Sequence, residues 1–219
     1  PLDSSAASDV YKRQVSTEYN IDDVLQNGRG TTLSDFLYRG SLDIINGNWE
    51  GFHRIFVNNE TTFNDMASRE FRVPSRIRTI ISADFDNDGY DEIFMNNIGE
   101  PNKLFKILDD GAFQQIPIDV GLEPDGYGTG AAVADIDNDG ILELLVSHGE
   151  SVDQPLSLYK AKVNPNNKYL RIKPLNKHGA PARGATVTLI SNLRKHSKTI
   201  DSGSGYLCQM EPVAHYGIR

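Results

Sequence analysis

One nine-residue stretch occurs twice and constrains this chain more than anything else in it. Asp84-Phe85-Asp86-Asn87-Asp88-Gly89-Tyr90-Asp91-Glu92 recurs as Asp135-Ile136-Asp137-Asn138-Asp139-Gly140-Ile141-Leu142-Glu143. Both copies read D-x-D-N-D-G-x-x-E, and both run directly into apolar residues, Ile93-Phe94-Met95 and Leu144-Leu145-Val146. Three carboxylates at alternate positions, turned back by a glycine, share one small volume. Two unit charges about 4 Å apart repel by roughly 1 kcal/mol in water and about 4 kcal/mol at an effective dielectric near 20. A single copy can be a solvated acidic turn, whereas two matched copies require a cation to relieve the repulsion. Oxygen-only ligands suit a hard ion, and Ca²⁺ takes about 6–8 of them in flexible geometry. The expected ligands are the side chains of Asp84, Asp86, Asp88 and Glu92 with the backbone carbonyl of Tyr90. In the second copy they are Asp135, Asp137, Asp139 and Glu143 with the carbonyl of Ile141. Gly89 and Gly140 are expected at positive φ, where the loop turns sharply.

The loop is not an EF-hand. That motif needs a bidentate Glu at its twelfth position and flanking helices, but the twelfth residues here are the apolar Met95 and Val146. The flanks are β-branched and aromatic, as in strands. A strand–loop–strand site whose last ligand falls at position nine resembles the FG-GAP/VCBS-type repeats of integrin α-chain β-propellers. That resemblance implies a loop between neighbouring strands of a blade and a structural Ca²⁺ ion.

A third, degenerate copy precedes these two. Asp35-Phe36-Leu37-Tyr38-Arg39-Gly40-Ser41-Leu42-Asp43 keeps acids at positions one and nine and glycine at six, with Leu37 and Arg39 in place of the third and fifth carboxylates. It is expected to keep its turn and lose its ion, Arg39 supplying the missing positive charge. Loop starts at 35, 84 and 135 give spacings of 49 and 51 residues, a period suited to propeller blades. Strands are expected to enter the last two loops at Thr79–Ala83 and Ala131–Ala134, and after each loop come two further short strands. Phe63 and Phe113 are expected to anchor the closing strand of the first two units. The predicted fold class is all-β, a partial β-propeller of about three blades with a small C-terminal β domain. Propellers have about 4–8 blades, so more blades are expected upstream, and this stretch alone forms an open arc with one unsatisfied edge.

The repeat stops at Asn164-Pro165-Asn166-Asn167, a boundary by turn chemistry. Strands are expected at Tyr169–Pro174, Gly184–Ile190 and Lys198–Asp201. Asn167-Lys168-Tyr169-Leu170, Arg183-Gly184-Ala185-Thr186-Val187, Gly203-Ser204-Gly205-Tyr206-Leu207-Cys208-Gln209 and His215-Tyr216-Gly217-Ile218 together resemble the ASPIC/UnbV domain. Members of that family tend to read N-x-W-L, G-A-x-V, G-Y-x-S-Q and H-F-G-L-G in this order. Tyr169 stands for the Trp, Cys208 for the Ser and Tyr216 for the Phe. Propeller repeats followed by this domain are the arrangement of the cartilage acidic protein family and its bacterial relatives. The expected division is repeats over 15–163 and the ASPIC/UnbV-like segment over 167–219, which stops before the family's further strands. Asp9-Val10-Tyr11-Lys12-Arg13-Gln14 resembles a translated sequencing-library adaptor, and residues 1–14 are therefore set apart from fold reasoning.

The 219 residues carry a formal net charge of −8. That balance argues against nucleic acid, whose binding needs clustered Lys and Arg. Two Ca²⁺ ions would bring the charge to about −4. Cys208 is the only cysteine, which excludes an intramolecular disulfide and a zinc cluster. No run of about 18 apolar residues predicts a membrane span. His53, His148, His178, His196 and His215 lack metal-ligand spacing, and neither a P-loop nor a G-x-S-x-G is present. With the resemblance, these features imply a non-enzymatic, calcium-binding module for binding or adhesion. Its setting would be extracellular, at the cell surface or in the periplasm, and its ligand a protein or glycan. The alternative is a fragment of a secreted propeller enzyme acting on polysaccharide, its active site in blades outside this stretch. A cytosolic calcium sensor is disfavoured, because sensors need a helix pair that opens.

Overall fold

The computed structural model describes residues 14–219 except 109–112, 151 and 192–193. The chain is all-β, with one short 3₁₀ turn at Asp119–Leu122 among the described residues. The first sheet is an antiparallel meander of β1 (Gly28–Ser34), β2 (Asp43–Asn48), β3 (Arg54–Asn58) and β4 (Phe63–Asp65). The second repeats it with β5 (Ile77–Ala83), β6 (Glu92–Asn97), β7 (Lys103–Ile107) and β8 (Phe113–Ile116). The third has three strands, β9 (Gly128–Ala134), β10 (Glu143–His148) and β11 (Ser157–Lys160). These are the propeller-like units expected from the repeat, and each acidic loop joins the first strand of its sheet to the second. Of the adaptor-like residues 1–14, all but Gln14 lie outside the described residues.

The middle sheet is covered on both faces, and its sequence shows why. Every residue of β6 is buried. Ile93 and Met95 pack toward the first sheet against Ile45, Ile55, Ile77, Ile80 and Phe105. Phe94 points the other way, to Ile81, Val133, Leu144 and Val146. A continuous apolar run is what a strand with two buried faces needs. Each fully buried Ile or Phe there contributes roughly 1.5–3 kcal/mol. β10 has a similar run, but Leu145 is 37% exposed, its face being only partly covered. Phe113 anchors the second sheet by edge contact with Phe36, ring centroids 5.4 Å apart, whereas Phe63 meets Tyr19 at 6.4 Å.

The C-terminal strands form two antiparallel pairs, β12 (Lys168–Ile172) with β15 (Ala214–Ile218) and β13 (Thr186–Ile190) with β14 (Lys195–Thr199). The third of the expected C-terminal strands therefore spans Lys195–Thr199 rather than Lys198–Asp201. The Ser191 amide donates to the Arg194 carbonyl at 3.0 Å, and Lys195 lies opposite Ile190. A small core of Ile200, Ala214 and Tyr216, flanked by Ile172, Val187 and Leu189, holds the pairs together. The Tyr216 hydroxyl donates to the Val187 carbonyl at 2.8 Å.

Candidate metal centres

All three loops share one backbone. Their fourth residues, Tyr38, Asn87 and Asn138, have φ of 55, 57 and 61°, and their sixth, Gly40, Gly89 and Gly140, have 88, 85 and 82°. Asn tolerates the left-handed region and Gly occupies it freely. The degenerate first loop thus keeps its turn, as its surviving residues predict.

The first acid explains how. Asp35 accepts the Arg39 amide at 2.9 Å and the Gly40 amide at 2.8 Å. Asp84 accepts those of Asp88 and Gly89 at 3.1 and 2.9 Å, and Asp135 that of Gly140 at 3.0 Å. This carboxylate folds the loop whether or not an ion binds, and it is present in the first loop where the third and fifth acids are not. The ninth residue closes the loop from the far side. Glu92 Oε2 accepts the Phe85 amide at 3.0 Å and Glu143 Oε2 the Ile136 amide at 2.7 Å. In the first loop the Arg39 guanidinium lies 3.1 Å from Asp43, the substitute charge expected from the sequence.

Oxygens of Asp84, Asp86 and Glu92 converge within 4.8 Å of one another, and those of Asp135, Asp137 and Glu143 do the same. Asp88 and Asp139 stand beside these triples. Their Oδ1 atoms accept the amides of Tyr90 and Ile141, each at 2.9 Å. A lysine ammonium closes each cluster. Lys106 lies 3.0 Å from both Asp86 and Glu92 and also pairs with Asp88. Lys160 lies 2.7, 2.8 and 2.6 Å from Asp137, Asp139 and Glu143. Neither lysine was visible as a site residue in the sequence.

One ammonium does not balance the acids around it. Burial, opposed by Lys106, pushes Glu92 up to about 8. Burial and then Asp91 push Asp84 up to about 7. Burial disfavours the Lys106 charge, yet Glu92 and the hydrogen bonds to Asp88 and Asp86 hold it above the ordinary lysine value. Burial would raise Asp88 as well, but Lys106 and the Tyr90 amide hold it below its ordinary value, so the acids that rise are the ones burial penalises most. Among the described buried carboxylate oxygens, Asp135 Oδ1 accepts no hydrogen bond, nor does Asp43 Oδ2 in the degenerate loop, and Glu92 Oε1 and Glu143 Oε1 meet only a lysine ammonium. An all-oxygen set with an orphaned carboxylate oxygen fits a hard divalent cation.

The C-terminal strands lie across the loop face. Gly217 donates its amide to Asp84 Oδ2 at 2.8 Å, and Ser197 donates its amide to Asp35 Oδ2 at 2.9 Å. The Arg171 guanidinium lies 2.8 Å from Asp135 Oδ2. The first carboxylate of every loop is therefore touched by this segment. Asn87 links two loops and the strand above them: its Nδ2 donates to the Gly140 carbonyl at 2.7 Å, and its Oδ1 accepts from His215 Nε2 at 2.7 Å. Asp91 points away from the acidic cluster, as strand alternation predicts, and pairs with Lys198 at 2.7 Å.

These features define a stretch of FG-GAP-like repeat followed by an ASPIC/UnbV domain. The FG-GAP-like repeat family matches residues 84–146 and the ASPIC and UnbV family residues 175–219. The chain is similar to cartilage acidic protein 1. It is 46% identical to that of Homo sapiens over 211 residues, covering 90% of this chain and 32% of the relative. Identity is 44% to that of Mus musculus over 211 residues, covering 90% and 33%. With that of Xenopus tropicalis it is 43% over 249 residues, covering 100% and 38%. The chain thus spans about a third of the length of the curated relatives it matches. Among the described residues, no helix is long and apolar enough to cross a membrane.

Proposed function

We propose that this chain is part of an extracellular, non-enzymatic binding or adhesion protein whose repeats are held by Ca²⁺. The observation that carries the reading is the convergence of three carboxylates within 4.8 Å in each of two equivalent loops. The ligands proposed are Asp84, Asp86, Asp88 and Glu92 with the Tyr90 carbonyl, and Asp135, Asp137, Asp139 and Glu143 with the Ile141 carbonyl. The ion neutralises the cluster and fixes the loop between two strands. Open loops of this kind suit the weak affinity of extracellular modules, about 10⁻⁴–10⁻³ M, which millimolar Ca²⁺ outside cells would fill. The name of the cartilage relatives agrees with an extracellular setting. We place the repeats over 15–163 and the ASPIC/UnbV-like domain over 167–219. A protein or glycan would dock on the repeats.

A binding role is also supported by what lies along the first strands of the sheets. Gly205 pairs with Thr31 through amide–carbonyl bonds of 3.0 and 3.2 Å, so a C-terminal loop docks on the first strand of the first sheet. Isothermal titration calorimetry with Ca²⁺ tests the reading. Two sites are expected, one lost in Asp86→Ala and the other in Asp137→Ala. Absence of binding heat, together with absence of terbium luminescence sensitised by Tyr90, would reject it.

A further inference from the structure

Lys106 and Lys160 occupy the same place in two repeats. Glu92 faces Lys106 across β6 and β7, and Glu143 faces Lys160 across β10 and β11. Each ammonium takes the third, fifth and ninth carboxylates of its own loop. The first repeat is an internal control. There Ile44 faces Phe56, so the next step of the ladder sets Val57 opposite Asp43. That loop has no third or fifth acid to hold, and a lysine is absent from the matching position. The lysine and the third and fifth carboxylates are present together or absent together.

An ammonium with three donors can satisfy three carboxylates as a compact point charge. Its distances to Asp86 and Glu92, both 3.0 Å, put it where a divalent cation bound to those oxygens would repel it. The two cannot share the cluster. The four-carbon stem lets the charged head swing toward solvent without deprotonation, since both lysine side chains already have exposed area, 18% for Lys106 and 31% for Lys160.

We propose that Lys106 and Lys160 are built-in competitors of the divalent cation: each holds its loop closed when the ion is absent and must leave for the ion to enter. This rests on the calcium reading above. The competition lowers the affinity of each loop by the fraction of time the lysine stands aside. It also orders the loops. Lys106 is the less exposed, and its partner Asp88 is 6% exposed and further engaged by Arg219, whereas Asp139 is 45% exposed. The second loop fills first.

Lysine reactivity in the wild-type chain tests this directly. Acetylation by a small amine-reactive reagent, followed by peptide mass spectrometry, should be slow at Lys106 and Lys160 in chelator. It should rise about tenfold in millimolar Ca²⁺ if the lysine stands aside about one time in ten beforehand, with Lys160 responding at the lower Ca²⁺ concentration. Lys168 and Lys173 serve as references. Calorimetry on Lys106→Met and Lys160→Met should show about tenfold tighter binding at the altered loop. If Ca²⁺ binds with heat but both lysines keep their slow labelling, the competition is wrong while calcium binding stands. If no form of the chain binds Ca²⁺, the calcium reading itself fails and the proposal with it.

Discussion

The Gly217 amide donates to Asp84 Oδ2 at 2.8 Å across 133 positions of sequence. A Cβ on Gly217 would lie 2.3 Å from that oxygen and 2.4 Å from the Asn87 carbonyl carbon. The glycine is there because the C-terminal strand runs flush against the loop. Gly217→Ala should destabilise the chain by about 2 kcal/mol, the usual scale for a group forced into a packed contact. Urea denaturation measures the loss, and limited proteolysis should cut first in the segment 167–219.

The pair of buried Asp91 and half-buried Lys198 ties the second repeat to β14. Asp91 is 4% exposed, and burial of its charge is outweighed by Lys198 and His196, which hold it well below the ordinary carboxylate value. The third repeat has Leu142 at the same position, buried in the core. Lys198→Met alone should cost about 3 kcal/mol, because it leaves a buried charge with too little compensation. Asp91→Leu with Lys198→Met should recover most of that loss. A double-mutant cycle by chemical denaturation gives the coupling.

The loops were legible in the sequence because their logic is local. Carboxylates at alternate positions before a glycine turn converge whatever surrounds them, and Asp84, Asp86 and Glu92 do so. The lysines were not legible, since their role depends on cross-strand register. Lys106 comes 14 residues after Glu92 and Lys160 comes 17 after Glu143, so unequal β6–β7 and β10–β11 connections hide their equivalence. The layering of the middle sheet could be read from Ile93-Phe94-Met95, a run with no polar alternation. The covering of the loop face could not, because Gly217, Ser197 and Arg171 reach it through tertiary packing that no short-range pattern records. Lys195–Thr199 was placed three residues late for a related reason. Lys195 and His196 read as polar until the pairing with Ile190 and Leu189 is known.

His53 gives the fold a dependence on pH that is separate from the metal loops. Its Nδ1 accepts the Asn48 amide at 3.1 Å, which fixes the proton on Nε2, 3.0 Å from Ser75 Oγ. Burial and then Lys103 lower its pKa to about 4. The unfolded chain therefore takes up the proton first as pH falls. The stabilisation is complete above about pH 6.5 and is lost between there and about pH 4, a change on the order of 3 kcal/mol. His215 is lowered to about 4 as well, first by burial, and acts in the same direction. Denaturation between pH 7 and 4.5 should show a shallower decline in His53→Gln than in the parent chain.

Arg39 should behave as a permanent substitute for an ion. Its guanidinium donates to Asp43 and to the Asn58 carbonyl at 3.0 Å. It is 38% exposed, so solvent screening limits the loss in Arg39→Met to about 1 kcal/mol. The same loss is expected in Ca²⁺ and in chelator, measured by denaturation in both.

Thermal unfolding of the whole chain in millimolar Ca²⁺ and in excess chelator tests the central claim most directly. At about 10 mM, an ion with a dissociation constant of about 10⁻³ M adds roughly 1.4 kcal/mol per site, and one of about 10⁻⁴ M roughly 2.7 kcal/mol. Two sites in a chain of this size correspond to a rise in midpoint of roughly 5–20 °C. The account predicts that rise, about half of it removed by Asp86→Ala and about half by Asp137→Ala. Equal midpoints in Ca²⁺ and chelator would contradict it and leave the two loops as acidic turns closed by their own lysines.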